Sequence, residues 1–180
     1  MELWDLYNKD REKTGKTMQR GTPIPTGAYH LVVHVCIFNQ KGEMLIQQRQ
    51  PFKSGWSNMW DITVGGSATA GDSSATAACR ELREELGLDL SFEALRPALT
   101  VNFDGGFDDI YLLHREVDLA TLTLQPEEVQ AVRWAGAEEI KAMLDAETFI
   151  PYHKSFIDLL FFLSDHNGTH TRGDKTKPAT

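Results

Sequence analysis

Residues 29–38 are apolar at nearly every position, and β-branched side chains recur at Val32, Val33, Val35 and Ile37. A strand with so few polar positions has no face for water, so it is predicted to lie in the middle of a sheet covered on both sides. Elsewhere the apolar positions come in shorter groups. Residues 3–7 and 17–20 read as two strands of an N-terminal β-hairpin around a polar stretch with Gly15, followed by a linker, 21–27, rich in Gly and Pro. After a turn at 39–42, residues 43–48 return as a partner strand. Residues 59–64 form a strand predicted to stop at Gly65-Gly66, 99–103 and 107–117 flank Asp104-Gly105-Gly106 as a second hairpin, and 129–134 is one more strand.

Three stretches change to helical spacing. Between Ser73 and Leu86, the residues Ala75, Ala78, Cys79, Leu82 and Leu86 make one apolar stripe, with Asp72 or Ser73 placed to cap the start and Gly87 just past the end. Residues 137–146 and 152–165 are the other helices, the second apolar at Phe156, Leu159, Leu160 and Leu163. Strands and helices together predict an α+β chain with one domain over residues 1–166, the hairpin and linker occupying 1–28. Residues 167–180 have no large apolar side chain and are expected to be disordered.

Composition narrows the partners. Of 180 residues, 18 are Lys or Arg and 26 are Asp or Glu, giving a net charge of −8 that repels a nucleic acid polymer. A small anionic substrate remains compatible, because a bound cation reverses the local charge. Cys36 and Cys79 fall on apolar segments away from other zinc-type ligands and read as buried thiols in a reducing compartment. With no basic-then-apolar start and no apolar run near the ~20 residues of a membrane span, the expected location is the cytoplasm, away from membranes.

One helix carries candidate chemistry. Glu81, Glu84 and Glu85 stand at i, i+3 and i+4, so their carboxylates share a face. Taken alone, such a face is ordinarily a solvated surface. Ahead of it, however, the segment Gly65 to Asp72 brings a glycine loop from a strand into the helix, where backbone can approach a metal or a phosphate without a Cβ in the way. Arg80 and Arg83 offset part of the clustered charge; Mg²⁺ or Mn²⁺ bound through carboxylate oxygens would offset more of it.

These residues resemble the signature of the Nudix hydrolase family: Gly66, then Asp72, then Arg80-Glu81-Leu82, Glu84-Glu85 and Gly87-Leu88, eight of nine fixed positions in order over 23 residues. The departure is Asp72, where the family usually has Glu. The resemblance implies an α/β/α sandwich with a mixed β-sheet, and a pyrophosphohydrolase that uses Mg²⁺ or Mn²⁺ to cleave a nucleoside diphosphate derivative or related small diphosphate. It implies Glu81, Glu84, Glu85 and the backbone of Gly66 as metal ligands, with Arg80 tying the glutamates in place. It also points to a further carboxylate near Glu127-Glu128, of which Glu128 is preferred as base or ligand, against an exposed acidic turn. Trp56, Trp60, Phe103, Phe107 and Tyr111 are candidates for an apolar or stacking wall, whereas His30 and His34 read as packed histidines outside the site.

Two other functions compete. The N-terminal layout is similar to the isopentenyl-diphosphate isomerase branch of the same fold, which requires a cysteine and a histidine where this chain has Gly65 and Ser67, so hydrolysis is preferred. A catalytically weak nucleotide-sensing module is the third class. The hairpin and the apolar C-terminal helix are each suited either to forming a homodimer or to covering the core, and a homodimer is the expectation.

Overall fold

The computed structural model describes residues 2–92, 94–166, 168 and 169; the expectation of a disordered tail falls almost wholly outside them. In chain order the elements are β1 (Leu3–Tyr7), β2 (Lys13–Gln19), β3 (His30–Phe38), β4 (Met44–Arg49), β5 (Trp60–Asp61), β6 (Val64–Ser67), α1 (Ser74–Leu86), β7 (Leu99–Phe103), β8 (Gly106–His114), β9 (Val129–Ala135), α2 (Ala137–Asp145) and α3 (Lys154–Asp165). β1 and β2 pair as the expected hairpin. The other strands form one mixed sheet in the order β5-β4-β3-β8-β7, with β6 added to β3 and β9 to β4. Among these described strands only β3 and β8 pair in parallel.

The apolar strand β3 is central because both of its faces are covered. Leu31, Val33, Val35 and Ile37 pack in one core with Ala77, Ala78, Leu82 and Leu86 of α1. Cys36 and Phe38 point the other way, toward Ile140 of α2 and Ile157 and Leu160 of α3. The result is the sandwich with helices on both faces. Leu82 and Leu86 are fully buried, which stabilises the docking of α1 by roughly 1.5–3 kcal/mol per side chain.

β3 and β4 share one registered pair, Phe38 with Met44, and then separate. β6 takes the edge of β3 from Val32 to Val35, while β4 turns to β9 and β5. Thr63 sits in the fork, its hydroxyl donating to Leu45 O at 2.5 Å and accepting from Ile37 N at 2.9 Å. That wedge corrects the continuous strand expected over 59–64: it is two short strands broken at Ile62-Thr63. The second of them runs on through Gly65-Gly66 to Ser67 instead of stopping at the glycines.

Other differences are smaller. β2 starts at Lys13, four residues earlier than its pattern predicts, because all its side chains but Met18 are exposed and only pairing with β1 reveals it. Cys36 is buried, but Cys79 is only half-buried. Helix α1 is capped by Ser73, in a box with Thr76, and ends at Gly87 with φ of 68°. Ser73 thereby frees Asp72 for another task. Among the described residues no helix is long and apolar enough to cross a membrane.

Candidate active site

The three glutamates of α1 do not share one environment. Glu84 is 50% exposed, Glu81 12%, and Glu85 only 5%, so the acidic face dips from solvent into the fork between β4 and β6. Gly66 stands against Glu81: a Cβ at Gly66 would fall 2.2 Å from Glu81 Cδ. Burial pushes the Glu81 carboxyl up despite the opposing Arg80 guanidinium. Burial and then the neighbouring Glu81 charge push Glu85 up to about 8, and among the described residues its carboxyl accepts one hydrogen bond, from Gln47 Nε2 at 2.8 Å.

Arg80 is the hub. Its Nη1 donates to Glu81 at 2.9 Å and Glu84 at 3.1 Å, its Nη2 to Ser67 O at 3.0 Å and Asp72 at 3.1 Å, and its Nε to Asp72 at 3.2 Å. Burial opposes the charge on Arg80, but Glu81 and Asp72 outweigh it and raise its pKa. Asp72 is equally tied: Thr69 donates to it through N at 3.0 Å and Oγ1 at 2.9 Å. Burial pulls Asp72 up, while Thr69 and Arg80 more than compensate and hold it below the usual carboxylate range. The shorter side chain at position 72 therefore still reaches Arg80.

Gly66, Arg80, Glu81, Glu84, Glu85 and Glu128 all line one cavity of about 390 Å³. Glu128 lies just before β9, bound to Lys53 Nζ at 2.5 Å. Four further charged residues in the lining escaped sequence reading: Glu2, Arg20, Arg49 and Lys53. Arg49 and Lys53 sit at a strand end and in a loop, where no spacing marks them out, and Glu2 and Arg20 flank the hairpin, remote in sequence from the glutamates.

Among the described residues no three acidic, histidine or cysteine side chains converge tightly enough to enclose an ion unaided, since Arg80 and Gln47 hold the glutamates in separate hydrogen bonds. The donor set nevertheless suits Mg²⁺ or Mn²⁺. Mg²⁺ keeps several waters and needs only one or two carboxylates, and Glu81 and Glu85 are two crowded carboxylates whose charge a cation would relieve, beside the Gly65-Gly66 stretch of β6, which has no side chains.

None of the five aromatic candidates lines this cavity. Tyr111 and Phe107 are core residues, Trp60 is covered by Arg133 at 4.9 Å, Trp56 is exposed, and Phe103 borders a separate cavity with Tyr29 and Phe107. His34 Nδ1 donates to Asp108 Oδ1 at 2.8 Å, and its ring fills the space that a side chain at Gly65 would need, 2.3 Å from the Cβ position. His30 stacks on Trp4 at 4.3 Å.

The NUDIX domain family model matches residues 28–160. An uncharacterized Nudix hydrolase of Listeria monocytogenes is 46% identical over 170 residues, covering 94% of this chain and 99% of the relative. An isopentenyl-diphosphate Delta-isomerase of Streptomyces coelicolor is 28% identical over 163 residues, 87% of this chain and 82% of its own. Among solved structures, DR0079 of Deinococcus radiodurans superposes with a TM-score of 0.70 at 26% identity, over 88% of this chain and 97% of that one.

Proposed function

This chain belongs to the Nudix hydrolase family as a pyrophosphohydrolase, and from that premise we propose that it cleaves the diphosphate bond of a nucleoside diphosphate derivative or related small metabolite with the help of Mg²⁺ or Mn²⁺. The observation that carries this reading is the shared cavity, in which Glu81, Glu84, Glu85 and Glu128 face Arg20, Arg49, Lys53 and Arg80. Glu81, Glu84, Glu85 and the Gly66 backbone would hold the ion. A divalent ion there supplies charge neutralisation at the phosphate oxygens.

The remaining roles belong to the chain's own side chains. Glu128 takes a proton from the attacking water once Lys53 moves from it to a substrate oxygen. A new P–O bond forms from that water, the bridging P–O bond breaks, and the leaving phosphate departs with the electron pair. Arg80 stays bound to Asp72 and keeps Glu81 and Glu84 aimed into the cavity, a positioning role. Isomerisation is disfavoured because Gly65 stands where the cysteine is required and the His34 ring fills the space beside it.

The test is incubation with nucleoside diphosphates, ADP-ribose, dinucleotide polyphosphates and isopentenyl diphosphate, with Mg²⁺, Mn²⁺ or a chelator. Metal-dependent release of phosphate or nucleotide from at least one compound is expected. No turnover of any of them, together with unchanged metal binding in Glu84→Gln, would overturn the proposal; ligand binding without turnover would favour the sensing module.

A further inference from the structure

The β1–β2 hairpin lies ahead of residues 28–160, the part matched by the family model, yet its open end reaches the carboxylate cavity. Glu2, just before β1, and Arg20, just after β2, both line it. The hairpin is fixed there by bonds to the loop that carries Asp72. Ala70 N donates to Leu3 O at 2.7 Å and Gly71 N to Asp5 Oδ2 at 2.9 Å. Lys13 Nζ joins Asp5 Oδ2 at 2.7 Å to Asp72 O at 2.7 Å. The element that positions Arg20 is thus the same one that braces the anchor of Arg80.

The other cations in the cavity are differently engaged. Arg80 is committed to Asp72, Glu81, Glu84 and Ser67 O and Lys53 is bound to Glu128, while Arg49 donates through Nε to Gly55 O at 3.2 Å, leaves both Nη atoms without a partner among the described residues and has no carboxylate there to orient it. Arg20 makes one side-chain hydrogen bond, Nη1 to Glu2 Oε2 at 2.8 Å; its Nε and Nη2 have no partner among the described residues, and the side chain is 59% exposed. Glu2 is itself steadied by Trp4 Nε1 at 2.8 Å, and Trp4 by its stack on His30. A guanidinium oriented by one carboxylate, with donors left over at the edge of a cavity, matches the paired oxygens of a phosphate.

We propose that the N-terminal hairpin is a wall of the active site and that Arg20, oriented by Glu2, binds the substrate phosphate that is not attacked, so that it selects diphosphates over monophosphates. This rests on the pyrophosphohydrolase reading above. Trp4 and His30 lie behind Glu2 and act on Arg20 only through it.

Arg20→Ala, Arg20→Lys and Glu2→Gln in the full chain test it, by steady-state kinetics on the best substrate of the panel and by calorimetric binding of methylenediphosphonate, which cannot be hydrolysed, with Mg²⁺ present. Arg20→Ala is expected to raise KM and the Kd of the analogue by about tenfold or more, with kcat and melting temperature nearly unchanged. Arg20→Lys should recover part of the loss, and Glu2→Gln should show a smaller rise. Unchanged KM and Kd in Arg20→Ala, or a rise that follows a fall in melting temperature and is not rescued by Lys, overturns the proposal. If the wild-type protein neither turns over nor binds any diphosphate, the pyrophosphohydrolase reading itself fails; if the wild type works and Arg20→Ala equals it, only the role of the hairpin does.

Discussion

Glu81 occupies the space that any side chain at Gly66 would need, its Cδ standing 2.2 Å from where the Cβ would be. The clash is with the end of a flexible side chain rather than with backbone, so the glutamate can swing away at small cost to the fold. It cannot do so and keep its carboxylate beside β6. Gly66→Ala is therefore expected to lower kcat/KM by roughly a hundredfold or more while shifting the melting temperature little. Gly106→Ala is the contrasting control: its Cβ would meet His30 O at 2.1 Å, a backbone atom that cannot step aside, and it should destabilise the protein outright. Measuring both quantities for both variants checks the distinction, and a large melting shift in Gly66→Ala would count against it.

Arg80 binds four groups through three nitrogens, a fork that an ammonium cannot copy. Arg80→Lys should reduce kcat/KM by roughly ten- to a hundredfold although the charge is kept. Asp72→Asn should have a smaller effect of the same kind, since the amide can still accept from Arg80 but without its charge. Circular dichroism and melting curves would establish that α1 is intact; activity of Arg80→Lys equal to the wild type would refute the positioning role.

How much of this was legible in the sequence follows from where each signal resides. The apolar run of β3 and the 3.6-residue stripe of α1 are local and strong, so both elements and the faces they bury could be read directly. The spacing of Glu81, Glu84 and Glu85 put them on one helix face, and Arg80 and Gly66 came with them. Their unequal burial was hidden, because it depends on the divergence of β4 from β3. Thr63 was equally opaque: a lone threonine in an apolar run carries no sign that it wedges a fork between strands. Arg20 and Glu2 reach the cavity through pairing of a mostly exposed strand, and polar side chains on such a strand read as ordinary surface until its partner is known.

Asp61 gives stability a pH dependence of its own beside the glutamate cluster. It is buried at the end of β5 and accepts from Tyr152 Oη at 2.9 Å and Ile62 N at 2.8 Å. Burial raises its pKa, only partly countered by His34, Tyr152 and Ile62. Folding thus favours the neutral carboxyl. The contribution is present in full below the ordinary value of about 4 and is lost as pH rises through the raised folded pKa. His34 works in the same direction: burial lowers its pKa, but Asp108, with the Asp61 and Glu81 charges, outweighs burial and raises it, so its contribution too is lost as pH rises through the folded value. As pH rises above about 4 the wild type should lose stability relative to Asp61→Asn, which also removes the part of the His34 shift that the Asp61 charge causes. Urea midpoints across that range test this, and a constant difference between the two proteins would rule it out.

Gly65→Cys restores the residue that an isomerase needs at this position, but the geometry gives it no room. The His34 ring is 2.3 Å from the Cβ position, and its Nδ1 is held by Asp108 at 2.8 Å. The new side chain must push the imidazole out of a half-buried pair, so Gly65→Cys is expected to lower the melting temperature. It should form no dimethylallyl product from isopentenyl diphosphate. Adding His34→Ala makes space for the thiol and separates crowding from chemistry. Ser67 still stands where the isomerase has a histidine, so the double variant should regain stability relative to Gly65→Cys alone and still fail to isomerise. Isomer detected by NMR in the double variant would mean that the cysteine alone divides the two activities on this scaffold, and that Ser67 plays no part in the division.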